Sequence, residues 1–261
     1  MAKRIVTKNN VFKMGVEEQL PIFLKIVKDL TQIDDRLMFK FDNDNLLIYS
    51  MVGQDSNIHA FKSHIINLSE IFSHIKSEFK TDIKYTLSNA KKFHKSINGL
   101  TKYDEDIDLK LVYNDDNFGE KLMIKNKVFK REFPGDDPSV FKKDININDI
   151  NEAMNTDNAV FSFTLGKDNY EHIKRESMID NENEIYYLNV KDGSVSIGES
   201  SWELKVDDIQ TEDSTISFPK KYFNSIKYEK GIEELTVWVF DMFILITGDN
   251  TNLMISIELT V

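Results

Sequence analysis

Two hydrophobic periods alternate along this chain of 261 residues. In residues 21–31, Ile22, Phe23, Ile26, Val27 and Leu30 recur at spacings of three and four, which is one face of a helix. Lys25 and Lys28 fall on the other face, and Pro21 suits the first turn. From Arg36 the period drops to two. Leu37, Phe39 and Phe41 alternate, Asp42-Asn43-Asp44-Asn45 supplies turn chemistry, and Leu46 and Ile48 lie on the return strand. Helical spacing returns over residues 86–100, where Leu87, Ala90, Phe93, Ile97 and Leu100 form the apolar face and Gly99 stands near the end as a C-cap. Lys91, Lys92 and Lys95 lie opposite, and residues 86–97 contain no acid. Strands are predicted at 11–14, 57–63, about 79–85, 106–113 and 121–127.

The second half repeats this order. A strand over 160–165 leads into a helix over 166–178 that carries Lys167, Lys174 and Arg175. The hairpin over 184–197 places Tyr186, Leu188 and Val190 at a constant offset of 149 from Leu37, Phe39 and Phe41, and Val195 and Ile197 at the same offset from Leu46 and Ile48. Strands follow at 202–209 and 214–218. A fourth helix over 219–230 buries Tyr222, Phe223 and Ile226 and exposes Lys220, Lys221 and Lys227. Three closing strands are predicted at 234–240, 242–247 and 253–260. Between the halves, residues 128–144 contain Pro134, Gly135, Asp136, Asp137 and Pro138 in succession, which reads as a turn or extended connector. The chain is therefore expected to be α+β, with similar domains at 1–127 and 145–261 joined by the connector 128–144.

Charge changes this picture. The net charge is −11, yet the four predicted helices hold 12 Lys and Arg against 5 Asp and Glu, a surplus of +7 that leaves −18 for everything else. Such segregation suits a protein that holds a polyanion against one surface, with lysine supplying affinity for phosphates without reading bases. The third helix is the weakest case, because Asp168, Glu171 and Glu176 offset its bases. The absence of cysteine excludes disulfides, a thiol nucleophile and thiolate metal sites, and fits a reducing cytoplasm. No run of 18 apolar residues is present to span a membrane, and MAKRIVTKNN is not followed by the apolar core of a secretory signal. His59, His64, His74, His94 and His172 fall in no metal-ligand spacing, and the acids at 104–108 and 135–137 read as solvated loops. With no phosphate loop and no catalytic constellation, an enzyme is not expected, nor a cofactor, nor a metal. Two rival classes are a nuclease or nucleotide hydrolase with an acidic metal site and an acidic protein-binding module, either a DNA mimic or an inhibitor of a host enzyme.

With these features the chain resembles the sliding clamps of DNA replication, of the type found in T4-like bacteriophages and as proliferating cell nuclear antigen. The likeness is strongest from NAVFSFTLGKDNYEHIKRESMIDNENEIYYLNVKDGSVSIGES onward. It implies two clamp domains per chain, each with two helices on the inner face of antiparallel sheets, and a homotrimeric ring around double-stranded DNA. Such a ring is a processivity factor that tethers a DNA polymerase and is placed by a clamp loader, in the cytoplasm of a host cell if viral. The resemblance would turn Lys25, Lys28, Lys91, Lys92, Lys95, Lys167, Lys174, Arg175, Lys220, Lys221 and Lys227 toward DNA. It would pair residues 121–126, with Leu122 and Ile124, against residues 200–206 of a neighbour, with Trp202 and Leu204. A pocket for partner peptides would draw on Val128, Phe129, Phe133 and Pro134, with Leu46, Ile48, Phe243 and Leu259 as further candidates.

Overall fold

The computed structural model describes residues 8–260 except 43, 55–56, 77–82, 103–105, 142, 180–182, 192, 199, 204–212, 229–230 and 249–250. The chain divides into two compact units: unit 1 holds Met1–Met51 and Ser63–Ile147, and unit 2 holds Val52–Lys62 and Asn148–Val261.

In chain order, unit 1 begins with β1 (Lys8–Met14), α1 (Gln19–Leu30), β2 (Arg36–Asp42) and β3 (Asn45–Gln54). Strand β3 ends in unit 2, where β4 (Asn57–Asn67) starts before it ends in unit 1. Then come α2 (Leu68–Ile71), β5 (His74–Lys76), β6 (Ile83–Ser88), α3 (Ala90–Asn98), β7 (Ile107–Tyr113), β8 (Gly119–Lys125) and β9 (Lys130–Pro134). The strands form a sheet in the order β5-β1-β7-β8-β9 and a ladder β6-β2-β3-β4. Phe12, Phe23, Phe39, Phe41, Phe93 and Phe133 meet in one closed core beneath α1 and α3. Burying such rings contributes several kcal/mol each, on the order of 25 cal/mol per Å².

Unit 2 contains α4 (Ile147–Ala153), β10 (Phe161–Gly166), α5 (Lys167–Ile179), β11 (Ile185–Lys191), β12 (Ser194–Ile197), β13 (Ser200–Glu203), β14 (Ser214–Pro219), α6 (Lys220–Phe223), β15 (Glu234–Val239), β16 (Phe243–Gly248), β17 (Thr251–Ser256) and β18 (Glu258–Thr260). Its strands run β10-β15-β16-β17 and β13-β12-β11-β14-β18. The internal repeat is visible in the ladders. Phe39 faces Ile48 and Phe41 faces Leu46 in the first hairpin; Leu188 faces Ile197 and Val190 faces Val195 in the second, so every partner keeps the offset of 149. Because side chains alternate across a strand, a slip of one residue would have turned each hairpin's apolar set outward.

Two boundaries and one buried position depart from the sequence reading. The helix expected over 86–97 starts only at Ala90, because Thr86 and Leu87 belong to β6, paired with Met38 and Leu37. Asn89, at φ 65°, ends the strand and turns the chain into the helix. The helix expected over 219–230 closes after Phe223, and a tight turn carries the chain to Ile226. Ser225 Oγ donates to the Tyr222 carbonyl, the local competition that makes serine a poor helix interior. Finally, Ile22 is 46% exposed, since Leu20, Phe23, Leu24 and Val27 supply the buried stripe of α1.

Residues 128–144 are not a free linker. Residues 130–134 are β9, with Phe133 opposite Leu122. Gly135 N then donates to Glu120 O at 2.7 Å and Asp136 N to Thr86 O at 3.1 Å. Beyond them Phe141 is buried edge-on to Tyr49, with ring centroids 5.5 Å apart. Asp144 is held by Lys40 and Lys84. The signal was the alternation Phe129, Arg131, Phe133, which the Pro-Gly run behind it obscured.

Candidate nucleic-acid interface

In unit 1, α1 and α3 pack side by side. Phe23 of α1 meets Phe93 of α3 edge-on at 6.1 Å, which fixes the helices to one another by their buried sides and leaves Lys25, Lys28, Lys91, Lys92 and Lys95 exposed. The single acid on these helices, Asp29, is buried against His64 Nε2 at 3.0 Å. No exposed carboxylate remains on either helix. Asp35, just before β2, lies beside the face, but its carboxylate accepts the Lys91 backbone N–H at 2.6 Å and its carbonyl accepts that of Ala90. It supplies the N-terminal cap that Asn89 does not provide, so its charge is set against the helix dipole. His94 sits among these lysines; burial, and then the nearby Lys28 charge, push its pKa below the ordinary histidine value.

Asp35, Lys91, Lys92, Lys95, Ser96 and Arg131 line one open depression. Arg131 on β9 was not among the residues the sequence pattern singled out. Its guanidinium lies 5.7 Å from the centroid of the Phe133 ring.

Unit 2 presents a different surface. Lys167 is paired with Glu233 at 3.6 Å, and His172 with Glu176 at 3.4 Å. Lys174 lies over the Tyr170 ring at 5.5 Å, Lys220 over Tyr186 at 5.3 Å and Lys221 over Tyr222 at 5.3 Å. Arg175 and Lys227 are exposed, the latter past the end of α6 rather than on it. The Tyr170 hydroxyl donates to the carbonyls of Phe223 (3.3 Å) and Ile226 (2.9 Å), capping the short helix from below. Burial pushes that phenol's pKa well up, so it remains a donor at any physiological pH.

The other expected residues fall out as follows. Leu122 and Ile124 are core residues, and β8 is paired on both sides, by β7 and β9. Residues 121–126 are therefore not an edge, a correction forced by β9; the edges of that sheet among the described residues are β9 and β5. In unit 2, β13 is an edge strand among the described residues; the Trp202 side chain and Leu204 lie outside them. Leu46 and Ile48 are fully enclosed in the unit 1 core, which also takes in the buried sides of α1 and α3. Val128 is exposed, Phe129 half-buried, Phe133 buried and Pro134 exposed. Phe243 is half-buried and stacked on Phe240 at 4.5 Å; the Leu259 side chain lies outside the described residues. Among the described residues no cluster of three metal-ligating side chains occurs, and no helix is long and apolar enough to cross a membrane.

Two units that each place two helices against antiparallel sheets, in repeated order and register, define the DNA clamp fold. Comparison with solved structures gives the same fold. A β clamp from Helicobacter pylori superposes with a TM-score of 0.64 at 15% identity, over 95% of this chain and 63% of that one. The DNA polymerase III β subunit of Borrelia burgdorferi does so at 0.62 and 18%, over 95% and 64%. The PCNA2–PCNA3 complex of Sulfolobus tokodaii gives 0.57 at 15%, over 95% of this chain and 99% of that one. One Helicobacter pylori β clamp structure, with a TM-score of 0.60 at 14% identity over 95% and 66%, is bound to a DNA ligase peptide. The chain thus spans just under two thirds of the bacterial clamps it matches. No protein-family profile matches it, and no curated protein matches it in sequence.

Proposed function

We propose that this protein is a sliding clamp subunit: three chains close head to tail into a ring of six similar units that encircles duplex DNA and tethers a replicative polymerase, with a clamp loader opening and placing it. The observation that carries the reading is the pair α1 and α3 on a clamp fold, with five exposed lysines and one acid, the buried Asp29, in a chain whose net charge is −11. These five lysines offer weak, sequence-independent phosphate contacts, which hold a duplex without anchoring it. The edge strands β9 and β13 support closure, because each offers backbone groups that a neighbouring subunit can pair in a head-to-tail contact. Three rather than two subunits is favoured by the two-unit chain and by its coverage of the archaeal clamp over nearly that protein's whole length. Val128, exposed beside β9, is the strongest of the expected contacts for a partner peptide.

The direct test is absolute mass by light scattering across a dilution series. A species near three times 30.4 kDa supports the ring. A single-chain mass at every concentration overturns it. Retention on a circular duplex, lost when the circle is cut, then tests encirclement.

A further inference from the structure

We propose that Arg131 of β9 and Lys91, Lys92 and Lys95 of α3 form a single seat for a backbone phosphate, with Arg131 as its directional contact. The inference deepens the DNA-binding reading above and rests on it. The four cations line one depression with Ser96 and Asp35, and the Asp35 carboxylate is already engaged by the Lys91 N–H. The geometry between strand and helix is fixed underneath: Phe133, two residues along β9, meets Phe93 of α3 edge-on with centroids 4.9 Å apart. The same Phe133 ring supports the Arg131 guanidinium. Neighbouring Glu132 does not cancel it, because alternation along the strand turns that carboxylate away, to Lys121 at 3.3 Å and Lys130 at 3.1 Å. Hydrogen bonds from Lys130 and then Lys121 hold the Glu132 carboxyl below the usual range, so it stays charged on its own face. The depression thus sets a planar, permanently charged fork and three flexible ammonium groups against a single carboxylate, that of Asp35. A guanidinium grips a phosphate through paired N–H bonds and loses little freedom doing so, whereas lysine contributes as a point charge.

The test measures duplex binding by fluorescence anisotropy over a salt series, for the wild type, Arg131→Ala and Arg131→Lys, with thermal melts to confirm folding. Arg131→Ala is expected to weaken binding about tenfold on every sequence and to lower the slope of log K against log salt by about 1. Arg131→Lys should restore the slope but not the affinity, a split that a merely structural role of Arg131 would not produce. Wild-type affinity and slope in Arg131→Ala overturn the seat while leaving the clamp reading intact. Titration with inorganic tripolyphosphate separates the two claims. If the wild type binds no duplex but binds tripolyphosphate through Arg131, the seat stands as a site for another polyanion and the DNA reading falls. If it binds neither, both fall.

Discussion

The helical faces of the two units carry similar numbers of bases and differ in what becomes of the acids. In unit 1, Asp29 is turned inward to His64 and Asp35 caps a helix terminus, while the five lysines of α1 and α3 are exposed. In unit 2, Glu233 and Glu176 are on the surface beside Lys167 and His172, and three lysines lie over tyrosine rings. Counting charges per helix misses this. A basic surface is made by disposing of acids as much as by adding bases, and unit 1 does both.

The comparison is broken most directly by charge reversal. Lys91, Lys92 and Lys95 changed together to Glu should weaken duplex binding by two orders of magnitude or more and flatten the salt slope by about 3; Lys174 and Arg175 changed to Glu should cost about tenfold. Equal losses in anisotropy titrations would end the claim that unit 1 dominates. The next effect concerns stability. Asp29→Ala leaves His64 without its buried partner and should destabilise unit 1 by about 3 kcal/mol, whereas removing exposed Glu233 should change unit 2 by no more than about 0.5 kcal/mol, both read from urea midpoints. Tyr170→Phe comes next, at about 1 to 2 kcal/mol, because the Ile226 carbonyl loses the buried hydroxyl, whereas the Phe223 carbonyl keeps the Ile226 N–H.

The smallest effect is one of pH. Burial alone would raise the Asp144 carboxyl, but hydrogen bonds from Lys84 and Lys40 outweigh it and hold the pKa below the usual carboxylate value. The clasp therefore stabilises the folded chain at and above the unfolded value of about 4 and is lost as pH falls through the lower, folded one. Hydrogen exchange at residues 141–147 should rise at acid pH, and Asp144→Asn should remove that dependence.

The hairpins were legible because period two is a strong signal and both copies carry it. Leu87 was ambiguous: it fits a helical face reading forward to Ala90 and a strand reading backward to Tyr85, and only its pairing with Leu37 decides. The fourth helix looked long because Tyr222, Phe223 and Ile226 keep helical spacing even though Ile226 is reached through a turn. Strand β9 was hidden by the proline and glycine behind it. Arg131 was hidden with it, since its place beside α3 depends on Phe93 meeting Phe133 across 40 residues of chain. The same holds for Asp29 and Asp35, whose partners are distant in sequence.

The shared hairpin register also carries a hazard during folding. Two hairpins with the same ladder, 149 residues apart, each offer the other's strands a matching set of backbone partners while the chain is still being made. Backbone bonding alone does not tell a correct pairing from an exchanged one. Discrimination falls to the side chains: Phe39 of the first hairpin lies beside Tyr85 of β6, and Tyr186 of the second packs with Phe218 of β14 and Phe223 of α6. The divergence of these aromatic sets is what keeps a duplicated architecture from tangling with its own copy.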